Sequence, residues 1–399
     1  LSGSTGSSTL YVDDVFSTYL YTGNGSTQTI NNGIDLSTNG GLVWIKSRSA
    51  ATDHKLTDTT RGATKALISN TTAAQTTDAN GLTAFSSTGF SIGTDSVYNT
   101  NAATYASWTF RKAAKFFDVV TYTGDGSTDR VISHSLGITP GMIIVKATSS
   151  SGSWYVWQRT YANLTDGFLI LNATNAYNTS PNMWGTTAQS ASTFTVSSNG
   201  NMNSGGVTYV AYLFAHDTDP TGIIQCGSYT GNGSTTGPII NLGWEPQYVM
   251  IKEAVGDGGN WIVMDNMRGI ATGGNDSYLY ANSSVQENFD GVYDFISLTA
   301  TGFQLTCTSI QANTSGSTYI YIAIRRPNKP PTSGTQVFSP VTYSGNGSVQ
   351  TISTVFSPDA ILSLPRNNIY EKNFFDRLRG NVVLYTNLNM SEQTNTAYI

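Results

Sequence analysis

The sequence is poor in charged residues and has no long apolar run. Charged side chains make up 11% of the 399 residues, and the formal net charge is −5. Nucleic-acid binding depends on clustered Lys and Arg, and the clusters in this chain are short, such as Arg325 with Arg326. No apolar stretch reaches the roughly 18 residues that a membrane-spanning helix needs. The sequence therefore predicts neither a nucleic-acid partner nor a membrane span.

Cysteine is almost absent. Two cysteines, Cys226 and Cys307, are too few for the disulfide framework of a small secreted domain. The sequence leaves open whether they pair with each other. Two buried free thiols is the favoured interpretation, because cysteine is among the most often buried residues.

Glycine and aromatic residues are plentiful instead. The chain has 40 Gly, 22 Tyr and 7 Trp, and 39% of its residues are hydrophobic. This apolar content is too high for a disordered polymer, and the aromatic and β-branched bias favours strands. Many short strands joined by polar turns are expected.

One turn sequence occurs four times. It reads YTGNGS from Tyr21, YTGDGS from Tyr122, YTGNGS from Tyr229 and YSGNGS from Tyr343, at intervals of about 100 to 115 residues. Solenoid repeats are shorter, at roughly 20–50 residues, so each interval matches a small domain. The turn is a strong hairpin signal, because its central positions favour positive φ. Four similar units, each with a tight hairpin turn near its first strand, are therefore expected.

The rest of each unit reads as short strands. Examples are GLVWIKSR from Gly41, GMIIVKAT from Gly141 and the alternating closing stretch TYASWTF from Thr104. No amphipathic helical stretch of 11 or more residues is present. These patterns predict an all-β protein of tandem antiparallel β-sandwich modules, of jelly-roll or lectin-like type.

The repeats divide the chain into four predicted units. They cover residues 1–113, 114–218, 219–327 and 328–399, and the fourth unit lacks the last strands of the others. Each unit is expected to close its own core, so that the units follow one another like beads on a string. Missing strands would expose sheet edges in the fourth unit. We therefore expect that the chain continues beyond Ile399 or that a partner strand completes this unit.

A D-x-x-R-G motif recurs in three of the units. The residues that define it are Asp58, Arg61 and Gly62, then Asp265, Arg268 and Gly269, then Asp376, Arg379 and Gly380. An Asp three residues before an Arg could serve as an acid beside an anion-binding group. The favoured interpretation is structural, with a local ion pair and a glycine at positive φ. Such a pair, if exposed, would stabilise the fold by only about 0–1 kcal/mol.

Several of these pieces together resemble a known kind of repeat. The first unit shows in order VFSTYLYTGNGSTQTI, LVWIKSR, D-x-x-R-G, ISNTT, STGF and TYASWTF. This order is similar to repeats in structural proteins of tailed bacteriophages, especially tail-fibre or virion-surface proteins of marine phages. Those repeats are described as concanavalin A-like or laminin-G-like sandwiches. The resemblance implies a virion protein built of β-sandwich modules, and its motifs are not catalytic.

The sequence offers no constellation for catalysis. The three histidines, His54, His134 and His216, fall at unrelated places in their units and near no G-x-S-x-G sequence. Metal-type spacings such as C-x-x-C or H-x-x-H do not occur. Carboxylate pairs for glycoside hydrolysis do not recur from unit to unit. The protein is therefore predicted not to be an enzyme and to need no cofactor.

Two binding hypotheses remain. Aromatic faces can stack on sugars, and the second unit offers Trp154, Trp157, Tyr177 and Trp184 for a glycan. At least one of Trp154 and Trp157 is expected to belong to the core instead. The GDG turns at Asp125 and Asp257 could hold a calcium ion.

The sequence thus favours a non-enzymatic virion protein. We expect a tail fibre or tail appendage whose modules act as a spacer and host-attachment arm, assembled as a homo-oligomer, with a trimer as the first expectation for a fibre. Other virion proteins and a host-surface glycan are the expected partners, and the tail is expected over the capsid. The alternatives are a capsid-surface decoration protein and a secreted carbohydrate-binding surface protein.

Overall fold

The fold is all-β, as the sequence predicts. The structure, a computed structural model, describes residues 10–394 apart from 161–165, 271–274, 289–293 and the single positions 349, 355, 357, 378, 380 and 381. In this part of the chain the helices are single turns: α1 (Leu36–Asn39), α2 (Ser96–Asn99), α3 (Gly200–Asn203) and 3₁₀ turns at Val12–Asp14 and Gly334–Gln336. None of the described helices has the length and hydropathy to cross a membrane.

The chain forms two compact units. One contains Leu1–Ile270 and Asn275–Asn328, and we call its described part the body. The other contains residues 271–274 and Lys329–Ile399, and we call its described part from Lys329 onward the C-terminal unit. The first three repeats lie in the body and the fourth lies in the C-terminal unit.

Each repeat of the body has eight or nine strands. The first has β1 (Phe16–Thr22), β2 (Gln28–Asn31), β3 (Gly41–Ser47), β4 (Lys55–Asp58), β5 (Lys65–Ala66), β6 (Thr76–Thr77), β7 (Leu82–Ser86), β8 (Gly89–Ile92) and β9 (Thr104–Arg111). The second has β10 (Phe117–Thr123), β11 (Arg130–Ser133), β12 (Pro140–Ala147), β13 (Tyr155–Gln158), β14 (Gly167–Ile170), β15 (Asn178–Thr179), β16 (Thr193–Val196) and β17 (Thr208–Ala215). The third has β18 (Ile224–Thr230), β19 (Ile239–Asn241), β20 (Pro246–Val255), β21 (Ile262–Asp265), β22 (Leu279–Tyr280), β23 (Ile296–Thr299), β24 (Gly302–Leu305) and β25 (Thr318–Arg325).

The three repeats share one antiparallel topology. In the large sheet the closing strand lies between the first strand and the long apolar strand, in the orders β1-β9-β3-β4, β10-β17-β12-β13-β14-β15 and β18-β25-β20-β21-β22. The smaller sheets are β2-β8-β7, β11-β16 and β19-β24-β23. The closing strand lies inside each large sheet, and its residues are buried on both faces.

The long apolar strand of each repeat is buried on both faces. On β3, Val43 and Ile45 pack in a core within the first repeat, while Leu42 and Trp44 point to the opposite face and pack in a different cluster. That second cluster also contains Ile144 of the second repeat and Met250 of the third. One core is therefore shared by all three repeats, and this corrects the bead-like picture in which each unit closes a core of its own.

The repeated glycine turn is not a hairpin. It joins β1 to β2, which belong to different sheets, so it carries the chain from one layer of the sandwich to the other. The second glycine, Gly25, has φ +69°, as the sequence predicts for a tight turn. The first, Gly23, is required by space, because a Cβ there would lie 2.2 Å from the carbonyl oxygen of Thr100.

A buried asparagine holds this turn in each repeat of the body. Asn99 accepts from the backbone N–H of Asn24 at 2.8 Å and donates to the carbonyl of Gly93 at 2.8 Å and to that of Ser26. Asn203 and Asn313 make the corresponding bonds to the turns of the second and third repeats. In these three repeats the same buried amide therefore fits the same turn sequence.

The C-terminal unit contains one sheet of the repeat. Its strands are β26 (Ala360–Ser363), β27 (Asn373–Asp376), β28 (Val382–Tyr385) and β29 (Gln393–Thr394), paired in chain order. Ala360 pairs with Asp376 in the same register as Leu42 with Asp58 in the first repeat. The sheet therefore corresponds to β3–β6.

Candidate functional site

The D-x-x-R-G motifs of the body form buried ion pairs. Arg61 Nε donates to Asp58 Oδ2 at 2.6 Å, and Arg268 Nε donates to Asp265 Oδ2 at the same distance. The glycines that follow, Gly62 and Gly269, have φ values of +98° and +101°, as predicted. The expectation of an exposed pair is wrong for both copies, because the large sheet and a neighbouring repeat cover them.

Each buried pair contacts the closing strand of another repeat. Tyr212 Oη, on β17 of the second repeat, donates to Asp58 at 2.8 Å and accepts from Arg61 at 3.1 Å. Burial, reinforced by the Asp58 carboxylate, raises the pKa of Tyr212 well above its usual value. The phenol therefore stays protonated and can donate to Asp58, so the first motif connects the first repeat to the second.

The third motif connects the third repeat to the first. Trp108 Nε1, on β9, donates to Asp265 Oδ2 at 3.0 Å. The guanidinium of Arg268 lies 5.2 Å from the centre of a Trp108 ring, which is cation–π distance. Trp108 and Tyr212 occupy the same position of the closing strand, because each pairs with the middle of the long apolar strand of its own sheet.

The second repeat departs from the motif at a matching place. Gln158 stands where the other repeats have Asp58 and Asp265, and the facing position on β25 of the third repeat is Ile322. Isoleucine has no side-chain donor, so a buried carboxylate would lack the partner it has elsewhere. Gln158 Nε2 donates instead to the backbone carbonyl of Gly227 in the third repeat, at 3.2 Å. This explains why the motif is lost here.

A second type of contact repeats around the body. Trp154 Nε1 of the second repeat donates to the carbonyl of Ile68 in the first, and Trp261 Nε1 of the third donates to that of Ile170 in the second, both at 2.9 Å. His54 takes the corresponding position in the first repeat, and its Nε2 is 3.0 Å from the carbonyl of Tyr280 in the third.

Backbone bonds form a third type of contact. Gln75 N donates to the carbonyl of Thr148, Tyr177 N to that of Ala254, and Glu287 N to that of Arg48, at 2.8–2.9 Å. The direction is first to second, second to third, and third to first. All three contact types therefore close a ring of three repeats with approximate threefold correspondence.

The junction between the third and first repeats closes the ring without a connecting linker. It is also the richest in charge. Glu287 makes a 2.7 Å ion pair with Arg48 and a 3.3 Å ion pair with Arg268, which in turn pairs with Asp265. The ends of the body meet as well, because Val12 N donates to Asn328 Oδ1 at 3.0 Å and Asn328 N donates to Asp13 Oδ2 at 2.9 Å.

Three lysines are fully buried at corresponding positions, Lys46, Lys146 and Lys252. Their ammonium groups donate to backbone carbonyls, and two of them reach across a junction: Lys146 to Thr72 at 3.4 Å and Lys252 to Thr174 at 3.1 Å. Burial lowers the pKa of all three to about 8.

The aromatic residues suggested for glycan binding are mostly buried. Trp154, Trp157 and Trp184 are at most 3% exposed, so their rings offer no face for stacking on a sugar. Trp154 spans a junction as described above, and Trp184 Nε1 donates to the carbonyl of Gly167. Tyr177 is partly exposed and packs against the common core.

The two calcium candidates are exposed residues of turns. Asp125 accepts from Ser127 and Asn203 in its turn, and these bonds, with Arg130 nearby, lower its pKa to about 2. Asp257 is exposed in the loop after β20. Over the ranges described above, no three His, Cys, Asp or Glu side chains group closely enough to hold a metal ion.

Cys226 and Cys307 are buried free thiols. Asp376 and Arg379 of the C-terminal unit pair at 2.5 Å and are about a quarter exposed, whereas Gly380 lies outside the described residues. The D-x-x-R-G motifs of the body are suited to holding repeats together, because each carboxylate and each guanidinium contacts a residue of another repeat.

Comparison with protein families assigns most of the chain to one family. The model of a family described as a domain of unknown function, DUF7483, matches residues 12–327. This range covers the three repeats of the body and most of the chain. No curated protein matches the sequence.

Proposed function

We propose, from the premise that this chain belongs to the DUF7483 family of domains of unknown function, that it is a non-enzymatic structural protein of a tailed-phage virion. Its first proposed place is a tail fibre or tail appendage, where it acts as spacer and host-attachment arm. Other virion proteins, further copies of the chain and a host-surface glycan are its proposed partners. The assignment to a virion rests on the resemblance of the repeats.

The observation that carries the structural role is the use of the D-x-x-R-G motif. It is the motif with the best chemistry for catalysis, and both copies in the body are buried in junctions with Tyr212 or Trp108 as the partner. A catalytic acid needs access to a substrate, and Asp58 and Asp265 have no exposed side-chain surface. The geometry supports assembly of repeats as the purpose of the motif.

The closed ring favours a second candidate, a capsid-surface decoration protein. A single chain with three corresponding faces can sit on a threefold axis of a symmetric shell, because each repeat can meet one subunit of the shell. A secreted carbohydrate-binding protein is less favoured, since Trp154, Trp157 and Trp184 are buried.

Labelling of intact particles tests the proposal. Antibody fragments raised against the purified protein would be added to purified phage particles and imaged by electron microscopy. Label along the tail or its appendages is the expected result, and label on the capsid face would select the decoration role. Particles without label, together with protein found only in the culture medium, would overturn the virion proposal.

A further inference from the structure

The C-terminal unit carries the junction-forming part of a repeat. Its sheet β26–β29 corresponds in register to β3–β6. In the body, the corresponding sheets use one face and their loops to bind the next repeat. The junctions of the body therefore indicate which kind of partner the C-terminal unit binds.

Its charged residues match those of the third repeat. Arg379 pairs with Asp376 and lies 3.7 Å from Glu392, as Arg268 pairs with Asp265 and lies 3.3 Å from Glu287. Glu287 lies five residues after Asn282, which accepts from the backbone N–H of Trp261 just before β21. Glu392 lies five residues after Asn387, which accepts from the backbone N–H of Lys372 just before β27. Glu392 is thus the counterpart of the residue that binds Arg48 across the closing junction.

The counterpart of Arg48 is also present. Ile45 pairs with Lys55 on β4, and Ser363 pairs with Asn373 on β27. Arg48 stands three residues after Ile45, and Arg366 stands three residues after Ser363. Arg366 is exposed, and the Glu392 side chain is 55% exposed. One C-terminal unit therefore presents both members of the ion pair that closes the ring.

The apolar face supports the same contact. Leu362 takes the position of Trp44, and Leu364 takes that of the buried Lys46. In the body these positions lie in the shared interior, with Trp44 2% and Lys46 0% exposed. In the C-terminal unit Leu362 is 54% and Leu364 is 51% exposed. Replacing the lysine by leucine makes this face more apolar than its counterparts.

We propose that the C-terminal units of three copies of this chain pack around a threefold axis, with Arg366 of each copy paired to Glu392 of the next. Both halves of the contact lie on one unit and face different neighbours, which gives a head-to-tail interface that closes as a ring. The repeats of the body close at three with the same type of sheet, so the copies also close at three. The proposal gives the interface for the homo-oligomer part of the proposed function and rests on that part alone.

Charge reversal in the 399-residue chain tests the interface. Sedimentation equilibrium of the wild type at micromolar concentrations is expected to give three times the 42.6 kDa chain mass. Arg366→Glu and Glu392→Arg should each weaken the trimer at least tenfold, and the double variant should restore it. Lys65→Glu, which changes a partly exposed lysine of the first repeat, is the matched control and should leave the trimer intact.

An odd-membered ring adds a sharper check. In a mixture of the two single variants, at least one of the three junctions pairs like charges, so the mixture should restore trimer less well than the double variant does. Near-ultraviolet circular dichroism should be unchanged in every variant, because both residues are exposed. A wild type that stays monomeric at about 100 µM would overturn the proposal, as would a trimer insensitive to both reversals.

The outcome is separable from that of the virion proposal. Trimers that depend on Arg366 and Glu392, with no label on particles, would retain this interface and reject the virion role. Monomers in solution, with label on the tail, would reject this interface and retain the role.

Discussion

The indole nitrogen of Trp108 donates to the carboxylate of Asp265 at 3.0 Å, although the two residues are 157 positions apart in the chain. The contact joins the closing strand of the first repeat to the ion pair of the third. With the Asp58–Tyr212 and Gln158–Gly227 contacts it completes the ring. The body is therefore held as one unit by contacts between residues far apart in the chain.

Loss of the Asp265 carboxylate should strongly destabilise the body. In Asp265→Ala, Arg268 would keep a buried charge with only Glu287 nearby, and Trp108 would lose its acceptor. Removal of one partner of a buried ion pair typically costs about 3–5 kcal/mol. Urea denaturation should show this loss. Asp376→Ala, at the partly exposed copy of the motif in the C-terminal unit, is the matched control and should cost less, about 0–1 kcal/mol; equal losses in the two variants would contradict the junction role.

The buried asparagine of the glycine turn should matter more than its exposed neighbour. Asn203→Ala leaves the turn N–H of Asp125 and the carbonyl of Ser127 without their partner. We expect a loss of about 2–4 kcal/mol, because buried polar groups left unsatisfied each cost about 1–3 kcal/mol. Asn201→Ala, two residues away and exposed, should change the free energy of unfolding by less than about 0.5 kcal/mol. Thermal melts of both variants would decide the matter.

Acid should weaken the closing junction through His54. Its Nδ1 accepts from Trp44 Nε1 at 2.8 Å, and burial, with Lys46 and Arg268 nearby, holds its pKa well below the usual value. The folded protein therefore keeps His54 neutral, while the unfolded chain takes up a proton below about pH 6.5. Stability should fall as the pH drops through this range, by roughly 1.4 kcal/mol per pH unit.

The variant His54→Gln isolates this effect, because glutamine can accept from Trp44 and donate to the carbonyl of Tyr280 without titrating. Urea denaturation at pH 7 and pH 5 would be compared for both proteins. The pKa values of His134 and His216 are also lowered, so both proteins should lose stability, and the variant should lose less. An identical pH dependence would show that His54 takes no part.

High pH should stabilise the folded protein through the buried lysines. The pKa of Lys146 is about 8 in the fold and about 10.4 in an unfolded chain. Between these values the unfolded state binds more protons, so stability rises with pH. Below pH 8 the cost of burying the ammonium is present in full. Deprotonation of the unfolded cysteines works against this rise above pH 9, since burial raises the pKa of Cys307 to about 11.

A difference measurement separates the two contributions. Lys146→Met keeps the length of the side chain and removes its charge. The free energy of unfolding of the wild type minus that of the variant should rise by about 1–3 kcal/mol from pH 7.5 to pH 9.5. A constant difference over this range would mean that Lys146 does not lose its proton in the fold.

The sequence predicts the local features of this protein well. Alternating strands, the repeat spacing and the positive φ of Gly25, Gly62 and Gly269 all follow from residue type and pattern. The ring could not be predicted in the same way. Its contacts join side chains to partners 69 to 239 residues away, and such pairs leave no periodic signal in the chain.

Some of the missed residues do carry a signal. Asn99, Asn203 and Asn313 recur at the same place in their repeats, and so do Lys46, Lys146 and Lys252 within apolar strands. A lysine in an otherwise buried strand marks a special environment, because an unpaired ammonium is rarely buried. The pairing of Asp with Trp108 or Tyr212, and of Gln158 with Ile322, could be recognised only once the register of the sheets was known.

The meeting of Val12 with Asn328 bears on how the body responds to force. The polypeptide enters and leaves the body at one point, so tension applied along the chain is borne first by the two hydrogen bonds of Asn328. Parting those two bonds need not pull on Trp108, Asp265 or the shared core. Once they part, the load passes to the first and last strands of the body, β1 and β25.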